Sequence, residues 1–234
     1  MSANGFQSIG VYPAPSPTPQ NLIQEVGFHT DNVAALRDLL TANKIEFWAR
    51  SVVKPKYLSL ADPEGHKIYF IETDGVLKAS KNIAIMTKGG YENEIIHAGF
   101  IVRDRAATEH FYKDILGFRP YWHGGMKDDQ TDWVSMQVPD GTDWLEFMVN
   151  VSPDADQRVR GIMNHIAIGV TDIHDTEKRL RAAGAPVNEE PKIGRDGKWQ
   201  LNVYDPDLTR IEFMEFTPVQ KPCCSDFTGP HPQP

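Results

Sequence analysis

The chain has 234 residues, of which 40% are hydrophobic and 24% are charged, and its formal net charge is −8 at pH 7. These values are typical of a folded globular protein and exclude a largely disordered chain. The acidic balance, without any block of basic residues, argues against binding to nucleic acid or to an anionic membrane. No apolar run is long enough to cross a bilayer, and the N-terminus lacks a basic start followed by an apolar stretch. We therefore expect a soluble, cytoplasmic protein.

Three segments of the chain repeat one order of sequence features, and this repetition guides the rest of the interpretation. Each segment opens with a short run of β-branched and aromatic residues that ends at an aspartate. A helical pattern and further strand patterns follow. The aspartates are Asp31, Asp104 and Asp172, and they lie 73 and 68 residues apart. Aspartate is a favoured residue at the start of a helix, so each position predicts a helix N-terminus.

The remaining elements of each repeat follow in chain order. Leucines at helical spacing come after Asp31, and Gly117 and Gly184 are placed to end the second and third helices. Asp-Pro turns and one Asp-Gly turn then separate strand patterns. Each repeat therefore predicts a βαβββ unit, and the fold class is α+β with a curved antiparallel sheet.

The two ends of the chain differ from the repeats. Residues 6–13 resemble the last strand of a preceding, absent copy, and a Pro-rich linker follows them. The tail after Phe216 lacks periodicity, which predicts irregular structure. Its adjacent cysteines, Cys223 and Cys224, exclude a disulfide framework and do not support a zinc finger. Such neighbours can form a strained ring or bind a stray metal, but we expect a reduced, solvent-exposed pair.

Strand alternation places four chemically reactive side chains at matching positions. His97 and His165 open the second and third repeats, and Glu146 and Glu212 lie in the last strands of the same repeats. Each glutamate follows its histidine by 49 or 47 residues. One such residue alone is most simply a solvent-facing side chain. The matched set, embedded in apolar strands where an unpaired carboxylate is costly, is best explained by a divalent metal ion between the two repeats.

The donor types narrow the choice of metal. Two imidazoles and two carboxylates suit Ni, Co, Zn, Mn or Fe, and they leave two positions of an octahedral ion open. This set differs from a closed, Cys-rich structural site. We therefore expect one divalent metal ion per chain, with room for a substrate.

These residues and their order resemble a known family. The second and third repeats are similar to the paired βαβββ modules of the vicinal oxygen chelate (VOC) superfamily, which includes glyoxalase I, bleomycin-resistance proteins and extradiol dioxygenases. The likeness covers about residues 93–217, with a weaker match over 20–75. It implies that the paired modules form a metal-binding cleft. The order His, Glu, His, Glu is similar to glyoxalase I, whereas extradiol dioxygenases usually show His, His, Glu.

The resemblance implies an enzyme of the glyoxalase I type, a lyase or isomerase whose small substrate is chelated through vicinal oxygens. The metal would stabilise an enediolate, and Glu212, with Glu146 as the second catalytic carboxylate, would move a proton between adjacent carbons. One alternative is an extradiol-type ring-cleaving dioxygenase. Another is a non-catalytic small-molecule binding or resistance protein. Candidates for the substrate-binding rim of the cleft are Trp122, His123, Trp133, Arg195 and Trp199.

Two positions bear on glutathione as a co-substrate. Asn150 stands four residues after Glu146, where glyoxalase I has an asparagine that helps to hold glutathione. The arginine that the family carries four residues after its first histidine is replaced by Ile101, and Arg103 is predicted to point to the opposite face. The likeness therefore supports metal chemistry more strongly than it supports glutathione.

The first repeat lacks the ligand set. Aligning Asp31 with Asp172 places Gln24 and Tyr69 at the ligand positions, which predicts a structural module or a metal-free pocket. Its open sheet edge predicts a homodimer. The predicted organisation is a remnant strand and linker (1–19), a module without metal ligands (20–75), two ligand-bearing modules (93–151 and 160–217) and an irregular tail (218–234).

Overall fold

The computed structural model describes residues 7, 9–13, 22–49, 56–72 and 94–234. Within these ranges the chain forms three βαβββ modules in succession. The first module consists of β1 (Glu25–Thr30), α1 (Val33–Ala42), β2 (Trp48–Ala49), β3 (Tyr57–Ala61) and β4 (Lys67–Glu72). Its sheet has the order β1-β4-β3-β2, with β1 parallel to β4.

The second and third modules share one larger sheet. The second consists of β5 (Glu94–Ile101), α2 (Arg105–Glu109, continuing as a π-helical stretch over His110–Ile115), β6 (Arg119–Gly124), β7 (Trp133–Gln137) and β8 (Trp144–Met148). A linking helix, α3 (Gln157–Met163), leads into the third. The third consists of β9 (His165–Val170), α4 (Ile173–Ala182), β10 (Lys192–Ile193), β11 (Trp199–Tyr204) and β12 (Arg210–Glu215).

The larger sheet has eight strands in the order β10-β11-β12-β9-β5-β8-β7-β6. The two modules meet where β5 pairs antiparallel with β9, and each of these strands pairs in parallel with the last strand of its own module. This arrangement confirms the α+β class and the paired modules. It also places the two histidine-bearing strands at the centre of the sheet, with the glutamate-bearing strands on either side.

Local sequence accounts for the helix starts, with one correction. The carboxylates of Asp104 and Asp172 accept hydrogen bonds from backbone N–H groups in the first turns of α2 and α4. In the first module this role belongs to Asn32, whose Oδ1 accepts from the Ala35 N–H at 2.8 Å, and not to Asp31. The predicted alignment of the first module is therefore shifted by one residue.

The first and second modules share a hydrophobic core. Phe100 and Phe147 lie at its centre and are 1% and 0% exposed. Burying one such side chain contributes about 2 kcal/mol. Across the module boundary the rings of Phe28 and Phe118 are 5.5 Å apart, and the rings of His66 and Phe100 stack at 4.5 Å. The first module thus supports the second from the side opposite the cleft.

The N-terminal segment contacts the start of β5. The Gln7 side chain donates to the Ile95 C=O at 2.8 Å and accepts from the Ile95 N–H at 2.7 Å. These bonds lie beside the register shift between Ile95 and His97 in the β5–β9 pairing. None of the described residues in this segment forms a strand, and the rest of the predicted remnant strand and linker lies outside the described residues.

The C-terminal tail, residues 217–234, contains no helix or strand but packs closely on the second module. The Phe227 ring lies 4.8 Å from the Tyr121 ring, and the Tyr121 hydroxyl hydrogen-bonds His231 Nδ1 at 2.6 Å. The Thr228 N–H donates to the Tyr121 C=O at 2.9 Å. The tail therefore covers part of the face on which the candidate ligands lie.

The cysteine prediction is wrong. Cys223 and Cys224 are joined as a vicinal disulfide, and Cys223 is half-buried against the apolar cluster beneath the tail. The Cys223 N–H donates to the Arg195 C=O at 2.8 Å, which holds this part of the tail in place and explains why the pair is not fully exposed. In the described parts of the chain, no helix has the length and apolar character needed to cross a membrane.

Candidate metal centre

Four side chains from both paired modules converge on one buried point. The Nε2 atoms of His97 and His165 are 2.9 Å apart. Glu212 Oε2 lies 3.5 Å from the first and 3.3 Å from the second. Glu146 Oε2 lies 3.9 Å and 3.4 Å from the same two atoms. The structure thus brings together all four residues that the sequence identified as candidate ligands.

Strand register explains the convergence. Gly99, two residues after His97, pairs with Glu146 in β8 and with His165 in β9. Glu212 in β12 pairs with Ala167, two residues after His165. Residues two apart on a strand point to the same face, so the four side chains occupy one face of four adjacent strands.

A hydrogen bond sets the orientation and the tautomer of one of the two histidine rings. His165 Nδ1 lies 3.0 Å from the Met163 C=O, which can only accept a hydrogen bond. The ring proton therefore belongs on Nδ1, and Nε2 presents a lone pair to the centre of the cluster. Among the described residues His97 Nδ1 has no hydrogen-bond partner, while its ring packs 4.8 Å from the Trp144 ring.

The electrostatics of the cluster favour ionised carboxylates. Burial by itself raises the pKa of Glu212, but Arg210 and the two imidazoles outweigh it and hold that pKa well below its ordinary value. Burial likewise opposes ionisation of Glu146, yet His165 and His97 lower its pKa. Two ionised carboxylates at a buried point need a compensating positive charge. A divalent cation between these donors meets that need, so the residues fit the predicted metal.

The pKa values of the two imidazoles are shifted in opposite directions. Burial lowers the pKa of His97, and neighbouring Glu212 only partly offsets it. Burial and Arg210 also act to lower the pKa of His165, but hydrogen bonds to Glu146 and Glu212 prevail and raise it. Donor atoms of His97, Glu146 and His165 all lie within 4.8 Å of one another. This is a His-Glu-His group of the kind that holds a divalent ion.

The two carboxylates are not equivalent. The Glu146 side chain is 14% exposed and the Glu212 side chain is 4% exposed. Arg210 NH1 lies 3.8 Å from Glu212 Oε2 and forms no such contact with Glu146 within the described residues. Solvent therefore reaches the cluster from the Glu146 side, while Glu212 is enclosed and has a permanent cation beside it.

The predicted rim residues of the second module have different positions. Trp122 and Trp133 stack at 6.4 Å, and the Trp122 indole N–H donates to the Cys223 C=O at 3.3 Å. This pair belongs to the cleft face, beneath the tail. His123 follows on the opposite face of β6 and is exposed, with its backbone bonded to Ser225. The prediction that His123 lines the rim is therefore wrong, because strand alternation turns it away.

Asn150 and Arg195 are both engaged within the protein. Asn150 is exposed and has a φ of 63°, and its Nδ2 donates to the Thr131 C=O at 2.8 Å and to Asp132 Oδ1 at 3.1 Å. Arg195 donates to the Gly125 C=O at 3.1 Å and pairs with Asp128. Arg195 therefore joins the hairpin before β11 to the loop after β6.

The predicted rim position of Trp199 is also wrong. Trp199 packs on the helix-covered face, and its ring meets the His174 ring of α4 at 5.0 Å. Glu146 pairs with Ser135 in β7, whereas Glu212 pairs with Asn202 in β11. The β11–β12 turn is thus one residue shorter than the β7–β8 turn. A one-residue change reverses the face of every side chain in a strand, so Trp199 does not match Trp133.

Sequence reasoning missed Lys198, which is fully buried on the cleft side. Its Nζ lies 4.7 Å from the Trp144 ring centre, 5.3 Å from that of Phe227 and 5.6 Å from that of Tyr121. Burial lowers the pKa of Lys198 to about 8, and burial raises the pKa of nearby Asp196 to about 7. An Asp-Gly-Lys sequence normally indicates an exposed turn. The one sequence signal for a cleft-facing Lys198 is that it continues the alternation of β11, in which every second residue faces the cleft.

In the described residues of the first module there is no comparable donor set. Tyr69 pairs with Gly27 in β1, as Glu146 pairs with Gly99, so Tyr69 does occupy the glutamate position. The histidine position belongs to Glu25, and not to Gln24, because the helix starts one residue later than predicted. The Glu25 carboxylate pairs with Lys67 at 2.6 Å.

Both the sequence and the fold resemble those of known proteins. The family model described as the Glyoxalase/Bleomycin resistance protein/Dioxygenase superfamily matches residues 94–213. The chain is 31% identical over 124 residues to the lactoylglutathione lyase of Haemophilus influenzae, a match that covers 52% of this chain and 92% of that protein.

Solved structures resemble a larger part of the chain. The fold is similar to catechol 2,3-dioxygenase, with a TM-score of 0.57 and 18% identity over 86% of this chain and 71% of that one. It is also similar to the 2,3-dioxygenase LapB from Pseudomonas sp. KL28, with a TM-score of 0.59 and 14% identity over 90% of this chain and 73% of that one. At these identities the likeness concerns the fold alone. It extends beyond the second and third modules, since it covers 86% and 90% of this chain.

Proposed function

Because the chain belongs to the Glyoxalase/Bleomycin resistance protein/Dioxygenase superfamily, we propose that it is a divalent-metal-dependent enzyme of the glyoxalase I type. In this proposal it is a lyase or isomerase that acts on a small substrate held through two neighbouring oxygens. The observation that carries the proposal is the convergence of two histidines and two glutamates on one buried point.

His97, His165, Glu146 and Glu212 would hold the metal. When bound, the ion supplies Lewis acidity to the oxygens of the substrate. Glu212 accepts a proton from one carbon of the substrate and returns it to the adjacent carbon. Arg210, 3.8 Å from the Glu212 carboxylate, keeps that carboxylate in the ionised form that can accept a proton. The enclosed position of Glu212 limits exchange of that proton with solvent.

The rest of the cleft positions the substrate and excludes water. Trp133 and Trp122 form an aromatic wall on the second module, and the tail covers Trp122. The partly exposed side of the cluster, next to Glu146, is the route of entry. The Ile101 side chain is buried on the cleft face, where the glutathione-binding arginine of glyoxalase I would stand. A thiol other than glutathione is therefore the better candidate co-substrate.

A ring-cleaving extradiol dioxygenase is the second candidate. Two histidines and a carboxylate are the donors of a non-haem Fe(II) site, and the dioxygenase folds resemble most of the chain. Glu146 argues against this reading, because it adds a second carboxylate to the set. A non-catalytic binding or resistance protein is the third candidate, and the complete set of four donors argues against it.

One experiment separates the three. The protein is stripped with a chelator, reloaded with Ni, Co, Zn, Mn or Fe(II), and analysed for bound metal. Isomerisation of hemithioacetals from methylglyoxal and several thiols is then followed without oxygen, and oxygen uptake is followed with a series of catechols. We expect anaerobic isomerisation that depends on the metal and is lost in Glu212→Gln. Oxygen uptake with a catechol would instead favour the dioxygenase, and less than about a tenth of a metal per chain would favour the binding protein.

A further inference from the structure

Lys198 is a buried cation whose hydrogen-bonding capacity is mostly unused. Its ammonium group has three donors, and the Tyr121 hydroxyl at 3.5 Å is a distant partner for one of them. Among the described residues no carboxylate oxygen lies within 4.0 Å of Nζ. A fully buried ammonium without a close acceptor is costly. The position therefore calls for an acceptor that the described protein groups do not supply.

The ammonium lies beside the candidate metal centre. Three rings surround the ammonium group, and together we call them the aromatic compartment: Tyr121, Trp144 and Phe227. The Trp144 ring is a neighbour of both groups, since Lys198 Nζ lies 4.7 Å and the His97 ring 4.8 Å from its centre. The indole N–H of Trp144 is also buried without an acceptor among the described residues. Two unused donors thus lie next to the proposed site of chemistry.

The charges of the site point to the kind of acceptor. A divalent cation would balance Glu146 and Glu212. Within the described part of the chain, the other charged groups that interact with the cluster are Arg210, Asp196 and Lys198 itself. With Asp196 ionised they leave a surplus of one positive charge. A bound anion removes that surplus, whereas a neutral ligand leaves it in place.

We propose that Lys198 is a substrate-binding residue that selects a monoanionic chelating substrate by donating hydrogen bonds to its anionic oxygen. The inference rests on the proposed metal-dependent function and adds the chemical class of the substrate. Tyr121 and Phe227 surround the ammonium with rings that cannot compete as strong acceptors, so the substrate anion is its best partner. The tail contributes Phe227 and thereby closes the compartment.

The test compares two ligands that differ in charge but share vicinal oxygens. Lactate is a monoanion, and lactamide is its neutral counterpart. Both are titrated into the Co(II)-loaded protein, and the visible absorption of the cobalt reports binding without any turnover. The variants are Lys198→Met, which keeps the length of the side chain, and Lys198→Gln, which keeps polarity should the first not fold. Lys192→Met, at an exposed lysine of β10, is the matched control.

We expect both Lys198 variants to bind lactate about tenfold or more weakly, the loss typical of a hydrogen bond to a charged group, and to bind lactamide within about twofold of the unaltered protein. The Lys192 variant should bind both ligands as the unaltered protein does. Equal weakening of both ligands, or no change in either, would overturn the role of Lys198 while the metal site stands. Failure of the unaltered protein to bind cobalt would overturn the proposed function and this inference together.

Discussion

The imidazole of His165 lies against the backbone of Gly99, which is its partner in the pairing of β5 with β9. A Cβ at position 99 would lie 2.1 Å from Cε1 and 2.3 Å from Nδ1 of that imidazole. The absence of a side chain at one residue thus creates the space that the second histidine occupies. The candidate metal centre therefore depends on a residue that has no donor of its own.

The first prediction concerns this pair. In Gly99→Ala the added methyl group displaces the His165 ring, and we expect metal affinity to fall by about 10- to 100-fold, the range usual for disturbing the support of a ligand. Ala167, which takes the corresponding position opposite Glu212, provides the control. Ala167→Gly removes a methyl group and should keep metal affinity within a few-fold. Competition with a chromophoric chelator measures both, and unaltered affinity in Gly99→Ala would refute the interpretation.

The second prediction concerns stability. Metal binding to the folded state alone should raise the free energy of unfolding by about 4 kcal/mol at a metal concentration a thousand times Kd. We expect a corresponding rise in the melting temperature of the chelator-treated protein when Ni or Zn is added, and no rise in His97→Ala. His110→Ala, at an exposed histidine paired with Asp114, should keep the full rise. A rise of the same size in His97→Ala would exclude this residue as a ligand.

The third prediction concerns pH. Burial and neighbouring Glu94 raise the pKa of Asp143 to about 7, whereas the unfolded value is about 3.9. Between these pH values the folded state keeps a proton that the unfolded state has lost, so stability falls as pH rises from about 4 to about 7. Asp143→Asn keeps the shape and cannot ionise, so it should be more stable than the unaltered protein at pH 8, by about 1 kcal/mol or more.

The same comparison at pH 4 should show little gain, because Asp143 is then protonated in the folded protein. Urea unfolding of chelator-treated protein at both pH values measures the difference. Asp140→Asn, in the same loop but exposed, is the control and should change stability equally at both pH values. A gain that does not depend on pH in Asp143→Asn would contradict the assignment.

The fourth prediction concerns the tail. Phe227 is half-buried against Tyr121 and Trp122, with ring distances of 4.8 and 6.3 Å. Replacing it by alanine should lower the free energy of unfolding by about 2 kcal/mol, less than for a fully buried phenylalanine. Val219→Ala, at a tail residue that is 54% exposed, should change it by less than about 0.5 kcal/mol. Equal values for the two variants would mean that the tail does not hold the cleft.

The fifth prediction concerns assembly. Strand β1 lies at the edge of the four-stranded sheet, and none of the described strands pairs with its outer side. Exposed edges tend to pair with another chain, so a homodimer through the first module remains our expectation. Light scattering at micromolar concentration should give twice the chain mass of 26.3 kDa. A single-chain mass under those conditions would count against the dimer.

Much of the candidate site could be predicted because it repeats. His97 and His165 occupy equivalent positions, and alternation along the strands fixes the face of each side chain without knowledge of the turns. Trp199 could not be placed in this way, because one residue fewer in a turn reverses the face of the whole strand. A turn of that length carries no signal that distinguishes it from its counterpart.

The tail and Lys198 were beyond prediction for a different reason. The tail has no periodicity, and its position depends on single contacts such as the one between Tyr121 and His231. Lys198 follows Asp-Gly, which is typical of an exposed hairpin, yet it is fully buried, with Phe227 of the tail and Trp144 of the second module close to its ammonium group. The short helix α3 also went unrecognised, although Asp156 caps its first turn.

The candidate metal ligands occupy equivalent positions in the second and third modules, but the residues that surround them differ between the two modules. By strand register the position of Lys198 corresponds to Thr131 in the second module, which carries no charge. A ligand chelated through two similar oxygens therefore meets a cation at one end only, and the two ways of seating it differ in energy. With a racemic substrate, the enzyme should consequently convert one enantiomer before the other.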